Sequence, residues 1–257
     1  EKNMSKEVAE KKSTQVASMG ITSMFKEHSG EGNESVSQED LALPFLKILQ
    51  GIDSILDELP DARKGDLYNT VTGKLYKGDK GVTVVPCAYQ RRFIHWAPRG
   101  TGTGAPIAVY SPKDEMPKTQ KGSEDNRDYV VEGEGSYLDQ TAQQFVMIVN
   151  DDGTCEPALI AMKSSQLKVS KNWNSKIAGV QLKDEDGEIF AAPRFSLLFK
   201  VTSKKQDNSK GSWHGWNVEY IKPMEDADLF AKCHAFHQSI IAGEVNVKHT
   251  DDTEIPF

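Results

Sequence analysis

The sequence predicts a mainly β fold with added helices, and three observations lead there. Seven runs rich in β-branched and aromatic residues are separated by glycine-containing turn signals. Two other stretches, 164–180 and 226–242, place apolar residues at helical spacing instead. Their order along the chain is strands, helix, strands, closing helix. A small Greek-key barrel with a helix between its third and fourth main strands has that order, and the oligonucleotide-binding (OB) barrel is the commonest of that kind.

Taken in order, residues 1–40 are rich in Lys, Glu, Ser and Gly and read as a disordered N-terminal segment. A folded domain is expected over 41–243, and an acidic tail over 244–257. Phe45, Ile48, Leu49, Ile52, Ile55, Leu56 and Leu59 recur at three-and-four spacing, which predicts an amphipathic helix over 41–59, closed by Pro60. Strands are predicted at 66–72, 81–97 (bent near Pro86), 106–110, 144–150, 154–162, 193–203 and 213–222. Asp152-Gly153 predicts a tight hairpin, and 111–135 is a long polar insertion of the kind usually mobile or functional. The second helix sets Leu167, Trp173 and Ile177 among lysines. The third places Leu229, Phe230, Cys233, Phe236, Ile240 and Ile241 on one face, between Asp226 and Gly243 as caps.

Composition restricts the function classes. No apolar run approaches membrane-spanning length and no secretory signal stands at the start, so a cytoplasmic setting and no membrane partner are expected. Cys87, Cys155 and Cys233 are widely spaced without a CxxC pair, and read as reduced core residues. No nucleophile, carboxylate pair or metal-ligand cluster has a recognisable context. The chain reads as a binder rather than an enzyme, with no cofactor and no metal.

The net charge of −7 conceals a segregation. Residues 1–40 hold eight acidic residues against five lysines, and Asp251, Asp252 and Glu254 add three negative charges, which leaves about −1 for the middle. Within that middle, acidic residues are absent from Lys80 to Lys113, from Pro157 to Lys183 and from Ala191 to Gln206. An anionic polymer meets local sign rather than net charge.

The basic windows interleave aromatics. In an extended Val85–Arg99, Tyr89, Arg91, Phe93 and His95 point one way, and Gln90, Arg92, Ile94 and Trp96 the other. Both faces carry an arginine and an aromatic, so at least one should open to a polar ligand. Single-stranded nucleic acid asks for this mixture of cations and flat rings. The pairing recurs as Lys168, Lys171, Trp173 and Lys176, and as Lys204 and Lys205 leading to Trp213 and Trp216. Core packing competes with ligand stacking for Trp173 and for one or both of Trp213 and Trp216. The run Arg99-Gly-Thr-Gly-Thr-Gly104 lacks the ending of a phosphate-binding loop and fits a flexible loop over a strand, or a plain loop. Candidate phosphate contacts are therefore Arg91, Arg92, Arg99, Lys168, Lys171, Lys176, Lys204 and Lys205, with Phe93, Trp96, Trp173 and Trp216 as stacking candidates.

The terminal peptide DDTEIPF resembles the acidic tip of bacterial single-stranded DNA-binding proteins, where aspartates precede Ile-Pro-Phe. Leu43–Gln50, Asn69–Gly73, Val85–Phe93, Trp96–Gly100 and Gly211–Trp216 look similar to a phage family described as single-stranded DNA binding, a likeness spanning roughly 41–248. The resemblance implies an OB barrel that coats single-stranded DNA in phage replication, recombination or repair, in the host cytoplasm. It also implies recruitment of replication partners through Asp251, Asp252, Glu254, Ile255, Pro256 and Phe257. Self-association into a homo-oligomer is compatible with it. Only 244–250 separate helix and tip, where bacterial relatives have a long linker, and the chain exceeds one minimal barrel. A virion structural or assembly protein, and a strand-annealing factor, are the alternative readings.

Overall fold

A computed structural model describes residues 21–37, 40–101, 104–209 and 211–249. The chain divides into two compact units, 1–41 and 42–257. In the first, residues 21–27 are helical and turns follow, with His28 Nδ1 and Glu31 Oε1 at 2.9 Å.

The second unit is mostly antiparallel β, curled into a half-barrel with a few helices, an architecture compatible with an OB-like fold. It opens with β1 (Leu46–Ile48), α1 (Ile55–Glu58), β2 (Leu67–Asn69) and β3 (Leu75–Tyr76), the strands forming a small sheet in the order β1-β2-β3. The helix predicted over 41–59 is therefore corrected to a short strand and one helical turn. Leu46 and Ile48 are buried by alternation, opposite Asn69 and Leu67 of β2, and this non-local pairing overrides the local helical spacing.

The large sheet contains β4 (Val82–Trp96), β5 (Ala108–Tyr110), β6 (Thr119–Lys121), β7 (Asp128–Val130), β8 (Tyr137–Val149), β9 (Cys155–Lys163), β12 (Leu197–Asn208) and β13 (Gly211–Pro223). Its main path runs β13-β12-β4-β8-β7-β6, with β5 also on β4 and β9 also on β8. The insertion at 111–135 thus contributes a hairpin, β6–β7, to this sheet. A separate hairpin, β10 (Gln181–Lys183) with β11 (Ile189–Ala191), follows α2 (Leu167–Ala178). The chain closes with α3 (Ala227–Ala242). Asp226 accepts a hydrogen bond from the Leu229 backbone N–H at 2.9 Å to start it, and Gly243 at φ 80° ends it.

The two helices cover opposite faces of the β4–β8 ribbon. Trp173 and Ile177 of α2 pack with Val84, Val146, Ile148, Ile160, Met162, Phe199 and Trp216. Cys233, Phe236 and Ile240 of α3 pack with Val85, Cys87, Ala88, Phe145, Met147 and Leu159. This double cover explains why β8 is buried from Thr141 to Ile148 without alternation, and why it includes the polar Gln143 and Gln144. All three cysteines are free thiols, Cys87 and Cys233 buried, Cys155 half-buried. Among the described residues no helix is long and apolar enough to cross a membrane.

Candidate functional site

The site is built on the outer half of β4, and its geometry depends on one extra residue. Val85 pairs with Met147, Pro86 with Val146, and then Ala88, not Cys87, with Phe145. This bulge reverses the side-chain parity of everything that follows. Tyr89, Arg91, Phe93 and His95 consequently share the α2 face with Gln144, Ala142, Gln140 and Leu138. Gln90, Arg92, Ile94 and Trp96 share the α3 face with Gln143, Thr141, Asp139 and Tyr137.

On the α2 face, Tyr89 and Arg91 are exposed and Phe93 half-buried. The Arg91 guanidinium lies 6.0 Å from the Phe93 ring centroid, and Tyr110 of β5 sits opposite Phe93. Arg91 has no carboxylate partner among the described residues. At the inner end of this row is a polar cluster. Gln144 Nε2 donates to Ser170 Oγ at 2.9 Å and to Asn174 Oδ1 at 3.1 Å. Arg194, in the turn before β12, donates to Gln144 Oε1 at 3.0 Å and to Asn174 Oδ1 at 2.6 Å. Its guanidinium carbon is 5.9 Å from the Tyr89 ring. Burial lowers the Arg194 pKa to about 10, which leaves it cationic at neutral pH. Lys168 and Lys171 are exposed along α2, with no carboxylate partner among the described residues.

The α3 face also carries cations, but it answers them. Arg92 donates to Gln90 Oε1 at 2.6 Å and to its neighbour's carbonyl at 3.3 Å. It also adds to the lowering of the Asp114 carboxyl pKa, which is due first to hydrogen bonds from Ser111. Lys163 pairs with Asp139 at 3.9 Å and lies 6.0 Å from the Trp96 ring. The segment after α3 runs back along this face, where Val245 and Val247 join the α3 core. His249 in this segment is 3.1 Å from Gln143 Nε2 and ring to ring with Phe45 at 6.3 Å. Burial, and then Lys163 and Arg92, lower its pKa to about 4, so it is neutral at pH 7.

Three stacking candidates are corrected. Trp173 is wholly buried and 5.8 Å from Phe199, Trp216 is 6% exposed, and Trp96 is 3% exposed beside Ile94 and Tyr137. Each stands at an inward position of its helix or strand, where the ring fills the core and cannot meet a base. Strand pairing continues unshifted through Gly215, so no bulge brings Trp213 and Trp216 to one side. Lys176 is also redirected, because its ammonium donates to the Val218 carbonyl at 2.6 Å and caps the β13 edge.

Lys204 and Lys205 stand apart from Arg91 and Arg92, although Gln206 beside them meets Gln166, two residues before Lys168. β12 meets β4 at Phe199–Val84 and runs antiparallel to it, away from Arg91 and Arg92. The path from Arg92 to Val84 and on from Phe199 to Lys204 is thirteen residues, roughly 40 Å along the strands. Arg99 is exposed in the turn beyond β4 and acts electrostatically on Tyr129. Asp251, Asp252, Glu254, Ile255, Pro256 and Phe257 lie outside the described residues. Tyr89 and Arg194 lie in the acid-free windows without being among the candidate contacts, and Gln144 and Asn174 carry no sequence signal of a site.

A protein-family model described as Pam3 phage gp34-like protein matches residues 11–246. No curated protein and no solved structure matches the chain.

Proposed function

The chain belongs to the Pam3 phage gp34-like protein family, and from that premise we propose that it is a sequence-independent single-stranded DNA-binding protein of a phage. The observation behind this reading is the row Tyr89–Arg91–Phe93 on the outer half of β4, where Arg91, without a carboxylate partner among the described residues, stands between an exposed and a half-buried ring. Arg91, Lys168 and Lys171 contact phosphates. Tyr89 and Phe93 offer faces for stacking, each stacked base contributing roughly 1–3 kcal/mol. Stacking is indifferent to base identity, and a backbone-tracking groove excludes a stiff duplex. The protein coats exposed strands in replication, recombination or repair, in the host cytoplasm, and does so by binding, without chemistry on the strand.

The tail supplies the second half of the proposal. His249, two residues before Asp251, lies within electrostatic reach of Arg92 and Lys163. Asp251, Asp252 and Glu254 compete with DNA for these cations, and Ile255, Pro256 and Phe257 dock on replication proteins. The test is fluorescence anisotropy of labelled oligo(dT) across a salt series, with duplex as comparison. Affinity should fall with a log–log salt slope of about −0.7 per neutralised phosphate. No binding at low salt, or equal affinity for duplex, would refute the reading. A large ordered assembly indifferent to oligonucleotide would favour a virion component instead.

A further inference from the structure

Arg194 has an incomplete set of partners. A guanidinium has five N–H donors, and Arg194 uses one on Gln144 Oε1 and one on Asn174 Oδ1. Gln144, itself wholly buried, spends both amide hydrogens on Ser170 and Asn174. The amide oxygens are therefore consumed in gripping one edge of the guanidinium. The other three Arg194 N–H groups, and the Asn174 side-chain NH2, find no acceptor among the described residues. No carboxylate pairs with Arg194 among them either; the ionisable groups acting on it are the Tyr89 hydroxyl and the Cys87 thiol. The cluster is thus rich in donors and carries one uncompensated positive charge, held mostly out of water.

A buried charge is ordinarily paired, because removing it from water is costly. Here the amides fix the fork without neutralising it, which is a preorganised arrangement for an outside anion. Tyr89, its ring accessible and 5.9 Å from the Arg194 guanidinium carbon, stands directly opposite Gln144 in the strand register. An anion on the open edge of Arg194 therefore has an aromatic face beside it, and Arg91 and Phe93 continue the row outward.

We infer that Arg194 and Asn174, with Tyr89 as the rim, form a seat for a phosphate group. Resting on the reading above, the phosphate is a backbone phosphodiester whose attached base stacks on Tyr89. A planar fork matches two phosphate oxygens at once, which a lysine would not. The seat gives the strand a fixed point from which the Arg91–Phe93 row extends.

Asn174→Asp tests this with little change of shape, since it places a carboxylate where Oδ1 already sits 2.6 Å from the guanidinium. Ser54→Asp, at the exposed cap of α1, makes the same charge change elsewhere and serves as control. Asn174→Asp should keep or raise Tm, weaken oligo(dT) binding roughly tenfold, and flatten the salt slope by about 0.7, one phosphate's worth. Ser54→Asp should leave the slope unchanged. Inorganic phosphate, against chloride at equal ionic strength, should raise the Tm of wild type more than that of Asn174→Asp. If wild type ignores oligo(dT) yet shows the selective phosphate effect, the DNA reading falls and the seat stands. If Asn174→Asp matches Ser54→Asp in DNA binding and phosphate stabilises wild type and Asn174→Asp alike, the seat is overturned.

Discussion

Arg91 and Arg92 are neighbours in the chain and occupy two different electrostatic settings. On the α2 face, Arg91 leans on Phe93 and Arg194 is gripped by amides, and neither meets a carboxylate among the described residues. On the α3 face, Lys163 is paired with Asp139, Arg92 with Gln90 and the field of Asp114, and the segment containing His249 lies across the strand. Both faces carry cations and aromatics. What separates them is whether the fold itself supplies the counter-charge, and a face whose charge the fold leaves unanswered is the one suited to an outside anion.

The largest expected effect defines the boundary between core and ligand surface. Trp173→Ala should destabilise the fold by about 3–5 kcal/mol, read as a shift in urea midpoint at constant slope, because a wholly buried indole against Phe199 leaves a cavity. A loss below about 1 kcal/mol would return Trp173 to the list of ligand rings and blur the contrast.

Next in size is the difference between the faces. Phe93→Ala should cost about 1–3 kcal/mol of oligo(dT) affinity, and Arg91→Ala should remove about 0.7 from the salt slope. Arg92→Ala should change both less, since Gln90 and Asp114 already engage its charge. If Arg92→Ala proves the more damaging, the strand runs on the α3 face and the comparison inverts.

A pH series separates the faces without mutation. The His249 pKa falls from 6.5 in the unfolded chain to about 4 in the fold, so its neutral form stabilises the docked segment above pH 6.5. That contribution is lost as pH falls from about 6.5 towards 4, when Lys163 of β9 and Arg92 of β4 face an imidazolium beside Gln143 and Phe45. Backbone hydrogen exchange at Val245–His249, corrected for intrinsic rates, should therefore quicken between pH 7 and pH 5. His249→Gln should abolish the change. The cluster of Arg194, Gln144 and Asn174 should show none, because Arg194 titrates near 10.

The sequence made visible those features that are written locally. β4, α2, α3 with its Asp226 and Gly243 caps, and the hairpin after Asn150 follow from side-chain period and turn residues. The β1 strand did not, because Leu46 and Ile48 are extended by pairing with β2, which no helical period can report. The parity of Arg91 could not be read either, since the bulge at Cys87 exists only in the register between β4 and β8. Trp173 was ambiguous because one helical position serves core and ligand alike. Arg194 was hidden because its seat joins β4, β8, α2 and the turn before β12, parts that meet only in the fold.

The smallest expected effect is the most discriminating for the shape of the site. Lys204 and Lys205 lie roughly 40 Å along the strands from Arg92, whereas exposed charges are screened over about 8 Å at physiological salt. Lys204 is in addition 4.0 Å from Glu219. An oligo(dT) of about four nucleotides, at the short end of the span one such barrel covers, anchored at Tyr89, Arg91 and Phe93 should therefore be insensitive to Lys204→Ala combined with Lys205→Ala. Its affinity and salt slope should match wild type at about 0.15 M salt. Loss of affinity on this short strand would place the β12–β13 end within the binding track, and the contrast between faces would give way to one continuous groove.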